Sequence, residues 1–250
     1  VGMKEFSEED LKKGLKETGL AEGRVLDRAL LDKAQQELQR QYFNRGKYAV
    51  QITSTVTPLE RNRVAVQFDV VEGDSAKIRQ INIVGNQAFK EKELLSQFTS
   101  STPNWLSWYT KNDQYSKSRL GGDLEALRSF YLNRGYLEFN VDSTQVSISP
   151  DKRDIYVTIN VNEGPQYRVA DIALAGQMLV PEAELRALVT LKPGEVFARD
   201  QLTESTRRIS ERLGNDGYAF ANVNAVPELD KEKSTVAFTL FVDPGRRVYV

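Results

Sequence analysis

The chain has 250 residues and a formal net charge of −1, from 34 basic and 35 acidic side chains, so we expect no nucleic-acid partner. It contains no cysteine and no histidine, which excludes thiol nucleophiles, histidine-dependent catalytic triads and nearly every zinc or copper site. We therefore expect no metal, no cofactor and no enzymatic activity.

The first predicted element is a short helix, because Ser7 followed by Asp10 is a typical helix start. A longer helix with one apolar face follows and ends at Gly46, a residue that can take a left-handed conformation without a Cβ clash. Two strands with apolar residues at alternate positions come next. The apolar positions are Leu31, Leu38 and Tyr42 in the helix, Val50 and Ile52 in the first strand, and Val64, Val66, Phe68 and Val70 in the second.

The middle of the chain shows the same order with a strand in front. After that strand come a short helix at Phe89–Leu94, a long helix that ends at Gly135, and two strands separated by the turn signal Pro150-Asp151. The apolar positions are Ile78, Ile81 and Ile83; then Leu120, Leu124, Leu127 and Tyr131; then Leu137, Phe139 and Val141; and finally Ile155, Val157, Ile159 and Val161.

The last third of the chain has the same five elements again. Its short helix is predicted at Pro181–Leu185, and its long helix ends at Gly217. The apolar positions are Val169, Ile172 and Leu174; then Leu202, Ile209 and Leu213; then Ala221 and Val223; and finally Val236, Phe238, Leu240 and Val242.

These three stretches are copies of one repeat. When they are aligned on the glycines that close the last strand, Gly73, Gly164 and Gly245, the four alternate positions before each glycine are apolar in every copy. The pattern predicts an α+β fold: a tandem array of three β-α-α-β-β units, each a three-stranded mixed sheet with two helices on one face.

The repeat also predicts the domain boundaries. We expect a first unit at 1–75 that lacks its opening strand, a second at 76–166, a third at 167–245, and the start of a further unit at 246–250, so the chain is expected to be a piece of a longer protein. Only a few residues join consecutive units, and hinge bending is predicted there, at Gly73, Gly164 and Pro165.

The middle unit differs from the others by an aromatic insertion at 99–115. It holds Trp105, Trp108, Tyr109 and Tyr115. Two interpretations stay open: the aromatic side chains cover the underside of the helix pair, or they form a patch that binds a partner, since Trp and Tyr give large contact area at little entropic cost.

A second candidate binding site is the strand predicted from Leu137 to Ile148. A polar run separates its apolar ends, and Val146 and Ile148 fall out of phase with Phe139 and Val141, so either a bulge intervenes or they point outward. We predict that this strand is an open edge that accepts a partner strand. The predicted contact residues are Asp142, Ser143, Thr144, Gln145, Val146, Ser147 and Ile148.

Several of these segments resemble POTRA (polypeptide-transport-associated) domains, in particular those of the outer-membrane protein assembly factors of Gram-negative bacteria. The resemblance covers the whole chain, and its long motifs lie in the middle unit. The segments that carry it are Thr57–Val64, Gln80–Phe89, Gly122–Glu125, Arg134–Tyr136, Asp142–Ser147 and Pro150–Lys152.

The resemblance implies a location and a role. The three units would be the second to fourth of five periplasmic units, followed in the parent chain by a C-terminal membrane β-barrel anchored in the outer membrane. POTRA domains of this kind are scaffolds that dock accessory lipoproteins and receive unfolded outer-membrane protein precursors through sheet edges and the groove beside the helix.

Two other functions are consistent with the sequence. The chain could be the periplasmic arm of a related barrel, for instance in two-partner secretion, or a passive spacer that binds nothing.

Overall fold

In a computed structural model the described residues are 4–100 and 114–248. The first repeat begins with helix α1 (Glu8–Glu17), and the Ser7 hydroxyl accepts a hydrogen bond from the Asp10 N–H as its N-cap. Helix α2 (Arg28–Asn44) and the antiparallel strands β1 (Gln51–Leu59) and β2 (Arg63–Val71) follow. The described part of this repeat has a two-stranded sheet.

The middle repeat contains strand β3 (Lys77–Val84), helices α3 (Glu91–Leu95) and α4 (Lys117–Leu132), and strands β4 (Asn140–Ile148) and β5 (Asp154–Asn162). Its three strands lie in the order β3-β5-β4.

The third repeat contains strand β6 (Arg168–Gly176), helices α5 (Glu182–Arg186) and α6 (Arg199–Gly214), and strands β7 (Asn222–Asp230) and β8 (Thr235–Asp243). Strand β8 lies between the other two, parallel to β6 and antiparallel to β7. The predicted mixed sheet is therefore confirmed. Its core includes Phe197, Ile209, Phe238 and Leu240, all nearly inaccessible to solvent.

The glycine that ends the long helix has a positive φ in each repeat, between +75° and +94°. Directly after it, the chain makes a turn closed by a backbone hydrogen bond, from Val50 to Lys47, from Phe139 to Tyr136 and from Ala221 to Tyr218. The predicted start of the strand at Leu137 is therefore wrong: the strand starts at Asn140, because residues 137–139 belong to this turn.

The chain folds into two compact units that do not follow the repeat boundaries. One unit holds residues 1–83, 98–124 and 144–159, and the other holds residues 84–97, 125–143 and 160–250. The division passes through the middle repeat, so each junction between consecutive repeats lies inside a single unit.

Candidate functional site

Strand β4 is the end strand of the middle sheet, as an edge site requires. Val146 is half-buried, Ile148 is 40% exposed, and the other five contact residues are exposed: Asp142, Ser143, Thr144, Gln145 and Ser147. The alternation of more buried and more exposed residues in β4 therefore stops between Val141 and Val146, where the alternation of apolar residues in the sequence also stops. All seven predicted contact residues lie on this one strand.

The direction of the N–H groups at the end of β4 can be deduced from the turn. The Ser149 N–H donates to the Asp154 carbonyl, 2.9 Å away on the β5 side. Because successive N–H groups of a strand point to opposite sides, the Ser147 N–H also points toward β5, and the N–H groups of Val146 and Ile148 point away from it. Those two groups are the donors that an added strand would meet.

Aromatic packing fixes the start of β4. The Phe139 ring stacks on the Tyr131 ring of α4, with centroids 4.1 Å apart and planes inclined by 10°. The buried Tyr131 hydroxyl donates to the Glu163 carboxylate at 2.7 Å, and the Ala88 N–H donates to the same carboxylate at 3.0 Å. Burial and this carboxylate raise the pKa of Tyr131. The pair thus links α4, the end of β5 and the loop after β3.

The first repeat has the same pair at the same offsets. The Tyr42 hydroxyl donates to Glu72 at 3.1 Å, and Glu72 also accepts from the backbone N–H groups of Lys4 and Glu5 at 2.7 and 2.8 Å. Burial acts to raise the pKa of Glu72, but these three hydrogen bonds outweigh it and lower that pKa. In the third repeat the aligned residues are Leu213 and Pro244, so this polar link is replaced by apolar side chains.

The junctions between repeats share one backbone pattern. The Gly46 carbonyl accepts from the Ala76 N–H at 2.9 Å, and the Ala76 carbonyl accepts from the Tyr115 N–H at 3.0 Å. The next junction has the same two bonds. The Gly135 carbonyl accepts from the Tyr167 N–H at 2.8 Å, and the Tyr167 carbonyl accepts from the Phe197 N–H at 3.0 Å. A Cβ on Gly46 would lie 2.5 Å from the Tyr115 carbonyl oxygen, so only glycine fits this approach.

Side chains add to the second junction. Asn133, at the end of α4, accepts from the Asp200 N–H in the first turn of α6 at 2.9 Å and donates to the Asp200 carboxylate at 2.6 Å. The N-cap residue of α6, Ala198, has no capping side chain, so Asn133 of the preceding repeat supplies that function. Lys231 forms an ion pair with Glu138 across the same junction.

The predicted hinge residues lie, along the chain, between the residues that form these backbone hydrogen bonds. Gly73 lies between Gly46 and Ala76, and Gly164 and Pro165 lie between Gly135 and Tyr167. Gly73 and Gly164 are exposed and have φ values of +70° and +66°, and Pro165 is exposed as well. The Gly73 carbonyl accepts from the Lys47 ammonium group at 3.1 Å.

The two tryptophans of the second candidate site, Trp105 and Trp108, lie outside the described residues, as does Tyr109. Tyr115 is buried and its ring centroid is 6.2 Å from that of Tyr48, whose pKa rises to about 12 because its hydroxyl is buried beside Tyr115. Tyr115 is thus a packing residue of the first junction.

Comparison with known proteins decides the family. The family model for POTRA, described as the surface antigen variable number repeat, matches residues 1–73, 76–164 and 167–245. The chain belongs to the POTRA family. Strands β4 and β5 are therefore the last two strands of a POTRA repeat, and the resemblance noted in the sequence is confirmed.

Individual relatives support the same assignment. The chain is 35% identical over 251 residues to the outer membrane protein assembly factor BamA of Neisseria meningitidis, covering 100% of this chain and 32% of that protein. BamA of Buchnera aphidicola is 31% identical over 193 residues, covering 76% of this chain and 31% of the relative. The chain thus spans about a third of the length of these relatives.

A solved structure has the same fold. The crystal structure of Haemophilus influenzae BamA POTRA3-5 superposes with a TM-score of 0.60 at 31% identity, covering 69% of this chain and 67% of that one.

The structure also limits other kinds of site. Among the residues it describes, no group of acidic side chains is arranged to hold a metal ion. None of the described helices of these POTRA repeats has the length and apolar character that a membrane span requires.

Proposed function

We propose that this chain is the periplasmic arm of an outer-membrane β-barrel assembly factor. In this role it docks accessory lipoproteins and receives unfolded outer-membrane protein precursors by β-strand addition, while the rest of the parent chain supplies a C-terminal barrel in the outer membrane. The family assignment and the BamA relatives support this class of function. The observation that carries the proposal is the exposed edge of β4.

Strand addition fits both kinds of partner. Main-chain hydrogen bonds to an edge do not depend on the side chains of the incoming strand, so one edge can take precursors of many sequences. The exposed polar side chains of Asp142–Gln145 disfavour pairing between identical copies, while Val146 and Ile148 offer apolar contacts that a specific lipoprotein can use. The role requires binding and positioning, and no chemical step.

We further propose that Gly73, Gly164 and Pro165 let the repeats bend, so that edges on different repeats can follow one client. Each bend is expected in the few residues that join consecutive repeats. Solution scattering at several salt concentrations tests this: one rigid arrangement that fits every curve would contradict it.

Proline at two neighbouring sites of β4 tests the docking edge. Ser147→Pro removes an N–H that points toward β5 and should destabilise the middle repeat. Val146→Pro removes an N–H that points away from β5, so the repeat should stay folded and lose binding of the lipoproteins. The measurement is capture of periplasmic lipoproteins on the immobilised chain, with circular dichroism and thermal unfolding as the fold control.

The outcomes separate the candidate functions. If Val146→Pro folds and still captures lipoproteins at the level of the unmodified chain, β4 is not the docking edge, and the segment around Trp105 and Trp108 becomes the better candidate. If the unmodified chain captures no lipoprotein at all, the spacer function is favoured.

A further inference from the structure

The sheet of the third repeat has an outer face, on the side opposite the helices. Val236, Phe238 and Leu240 of β8 are buried in the core, so the residues that alternate with them point to the outer face. The register of the three strands places a contiguous set of mainly apolar side chains there, which we call the outer patch: Ala173, Ala175, Val226, Ala237, Thr239 and Phe241.

Phe241 and Val226 are the largest members of the outer patch. Phe241 lies opposite Ala175 of β6, and Val226 lies opposite Thr239 of β8. Phe241 is 48% exposed and Val226 is 44% exposed. A contiguous apolar patch on a protein surface is typical of an interaction site.

The same face of the middle repeat is polar at the aligned positions. Counted from the glycines on which the repeats align, Phe241, Val226 and Ala173 are replaced there by Asn160, Thr144 and Asn82. The repeat fold therefore does not require apolar side chains on this face.

Consecutive repeats do not use the outer face to contact each other. In the middle sheet Tyr156 and Val84 have the positions of Ala237 and Ala175, and they are 43% and 51% exposed although one repeat precedes them in the chain and another follows. The backbone bonds that join the repeats start instead from the glycine after each long helix. A further repeat of the same kind would therefore leave the outer patch accessible.

One end of the outer patch is acidic. Asp171 and Glu228 lie on either side of Ala237, and both are exposed. No ion pair of either carboxylate is found among the residues that the structure describes, and the nearby Arg168 donates to the Gly194 carbonyl. A partner with basic residues at this end would gain favourable charge pairing.

The same charges disfavour a second copy of the chain as the occupant. If two outer faces pair about a two-fold axis along the strands, Asp171 and Glu228 of one copy meet the same residues of the other. If the axis runs across the strands, they meet the end of β8 that carries Asp243. Both arrangements bring like charges together.

The dimensions of the outer patch fit one α-helix. Neighbouring strands are about 4.8 Å apart, so the two outer strands of the sheet are separated by about 10 Å, which is the width of a helix. From Ala237 to Phe241 the patch extends about 13 Å along β8, the length of about nine helical residues. A helix along the strands would therefore cover the patch.

We propose that the outer patch docks an amphipathic α-helix of a partner protein. The apolar stripe of that helix packs on Phe241 and Val226, and its basic residues lie at the end beside Asp171 and Glu228. The inference stands independently of lipoprotein docking at β4, because it rests on the face of a different sheet.

Peptide binding to the full 250-residue chain tests the site. The probe is a fluorescent helical peptide of about 18 residues with leucines at offsets of four, three and four and two arginines in its last turn. The control peptide has two glutamates in place of the arginines. We expect saturable binding of the arginine peptide, and binding of the glutamate peptide weakened at least about tenfold.

Matched variants locate the binding on the third sheet. Phe241→Asn introduces the residue that the middle repeat has at the aligned position, and it should weaken binding about tenfold because apolar contact is lost. Tyr156→Asn is the control, since Tyr156 is an aromatic residue of similar exposure on the same face of the middle sheet. Thermal unfolding checks that both variants fold.

A charge reversal tests the direction of the bound helix. In the double variant Asp171→Lys, Glu228→Lys the preference should reverse, so that the glutamate peptide binds more tightly than the arginine peptide. The proposal is overturned if the arginine peptide does not bind, if Phe241→Asn and Tyr156→Asn weaken binding equally, or if the preference does not reverse.

Two further measurements test the other occupants. A dimer in sedimentation that Phe241→Asn dissociates would assign the outer patch to a second copy. Binding to phosphatidylglycerol vesicles that Phe241→Asn abolishes would assign it to a membrane surface. Either result contradicts the proposal, which predicts a monomer that does not bind the vesicles through this patch.

Discussion

The first and third repeats carry the same alternating pattern in their last strand but bury it to different extents. Val64 and Val236 are both nine residues before the closing glycine, yet one is 43% exposed and the other 0% exposed. The difference lies in the neighbours: β8 lies between β6 and β7, while β2 pairs with β1 among the described residues. A strand's own sequence thus provides the apolar face, and the adjacent strand decides whether that face is buried.

This difference has energetic consequences. Burying a valine side chain fully contributes about 1.5–3 kcal/mol, so a strand with several accessible apolar residues leaves a sizeable part of that free energy unused. Within the 250 residues given, we expect the first repeat to be the least stable of the three.

The largest expected effect comes from aspartate at the two aligned valines. Val236→Asp buries an unpaired carboxylate in the core of the third repeat and should lower the free energy of unfolding by about 4 kcal/mol or more. Val64→Asp places the same side chain at an exposed position and should cost no more than about 1 kcal/mol. Urea unfolding followed by amide signals of each repeat measures both, and equal losses would remove the basis of the comparison.

A smaller effect is expected where the second repeat caps a helix of the third. Asn133→Ala leaves the Asp200 N–H without its cap and should cost about 1 kcal/mol in the third repeat. The matched control is Asn215→Ala at the aligned, exposed position, which should change stability by less than about 0.5 kcal/mol. If the two variants are indistinguishable in urea unfolding, the cap does not stabilise the junction.

The smallest expected effect is a local dependence on pH in the first repeat. Because the pKa of folded Glu72 lies below its ordinary value of 4.5, its hydrogen bonds stabilise the fold above about pH 4.5, and this contribution is lost as pH falls through the lower folded pKa. Over that range the amides of Lys4 and Glu5 should lose protection, measured as the ratio of the intrinsic to the observed exchange rate at each pH.

The matched control for this pH effect is Glu72→Gln, which should remove the dependence. The third repeat has Leu213 and Pro244 at the aligned positions and should show no such change there. If the amides of Lys4 and Glu5 still lose protection with falling pH in Glu72→Gln, the effect belongs to another group.

The sequence predicts the order of the elements well, because alternating apolar residues and the glycine after each long helix are local signals. The predicted start of β4 at Leu137 was wrong by three residues, because the turn after Gly135 is closed by a hydrogen bond between backbone atoms, which the apolar residue Leu137 does not reveal. Leu137 instead packs against the core of the third repeat.

Much of the junction chemistry could not be predicted in the same way. The bonds from Gly46 to Ala76 and from Gly135 to Tyr167 join main-chain atoms, which no side-chain pattern marks. The pairs of Tyr131 with Glu163 and Tyr42 with Glu72 did leave a signal, because tyrosine and glutamate recur at equal offsets in two copies, but only the fold shows that they meet. For the seven predicted contact residues, the structure supplies one strand and its edge position, while binding itself stays a prediction.

Native-state amide hydrogen exchange on the monomeric chain tests the central claim most directly, because it compares β2 and β8 residue by residue in one sample. We predict slow exchange for the bonded amides from Val236 to Val242 and much faster exchange from Val64 to Gln67. Equal protection of the two strands in a monomer would contradict the claim that the neighbouring strand, and not the strand's own sequence, determines burial.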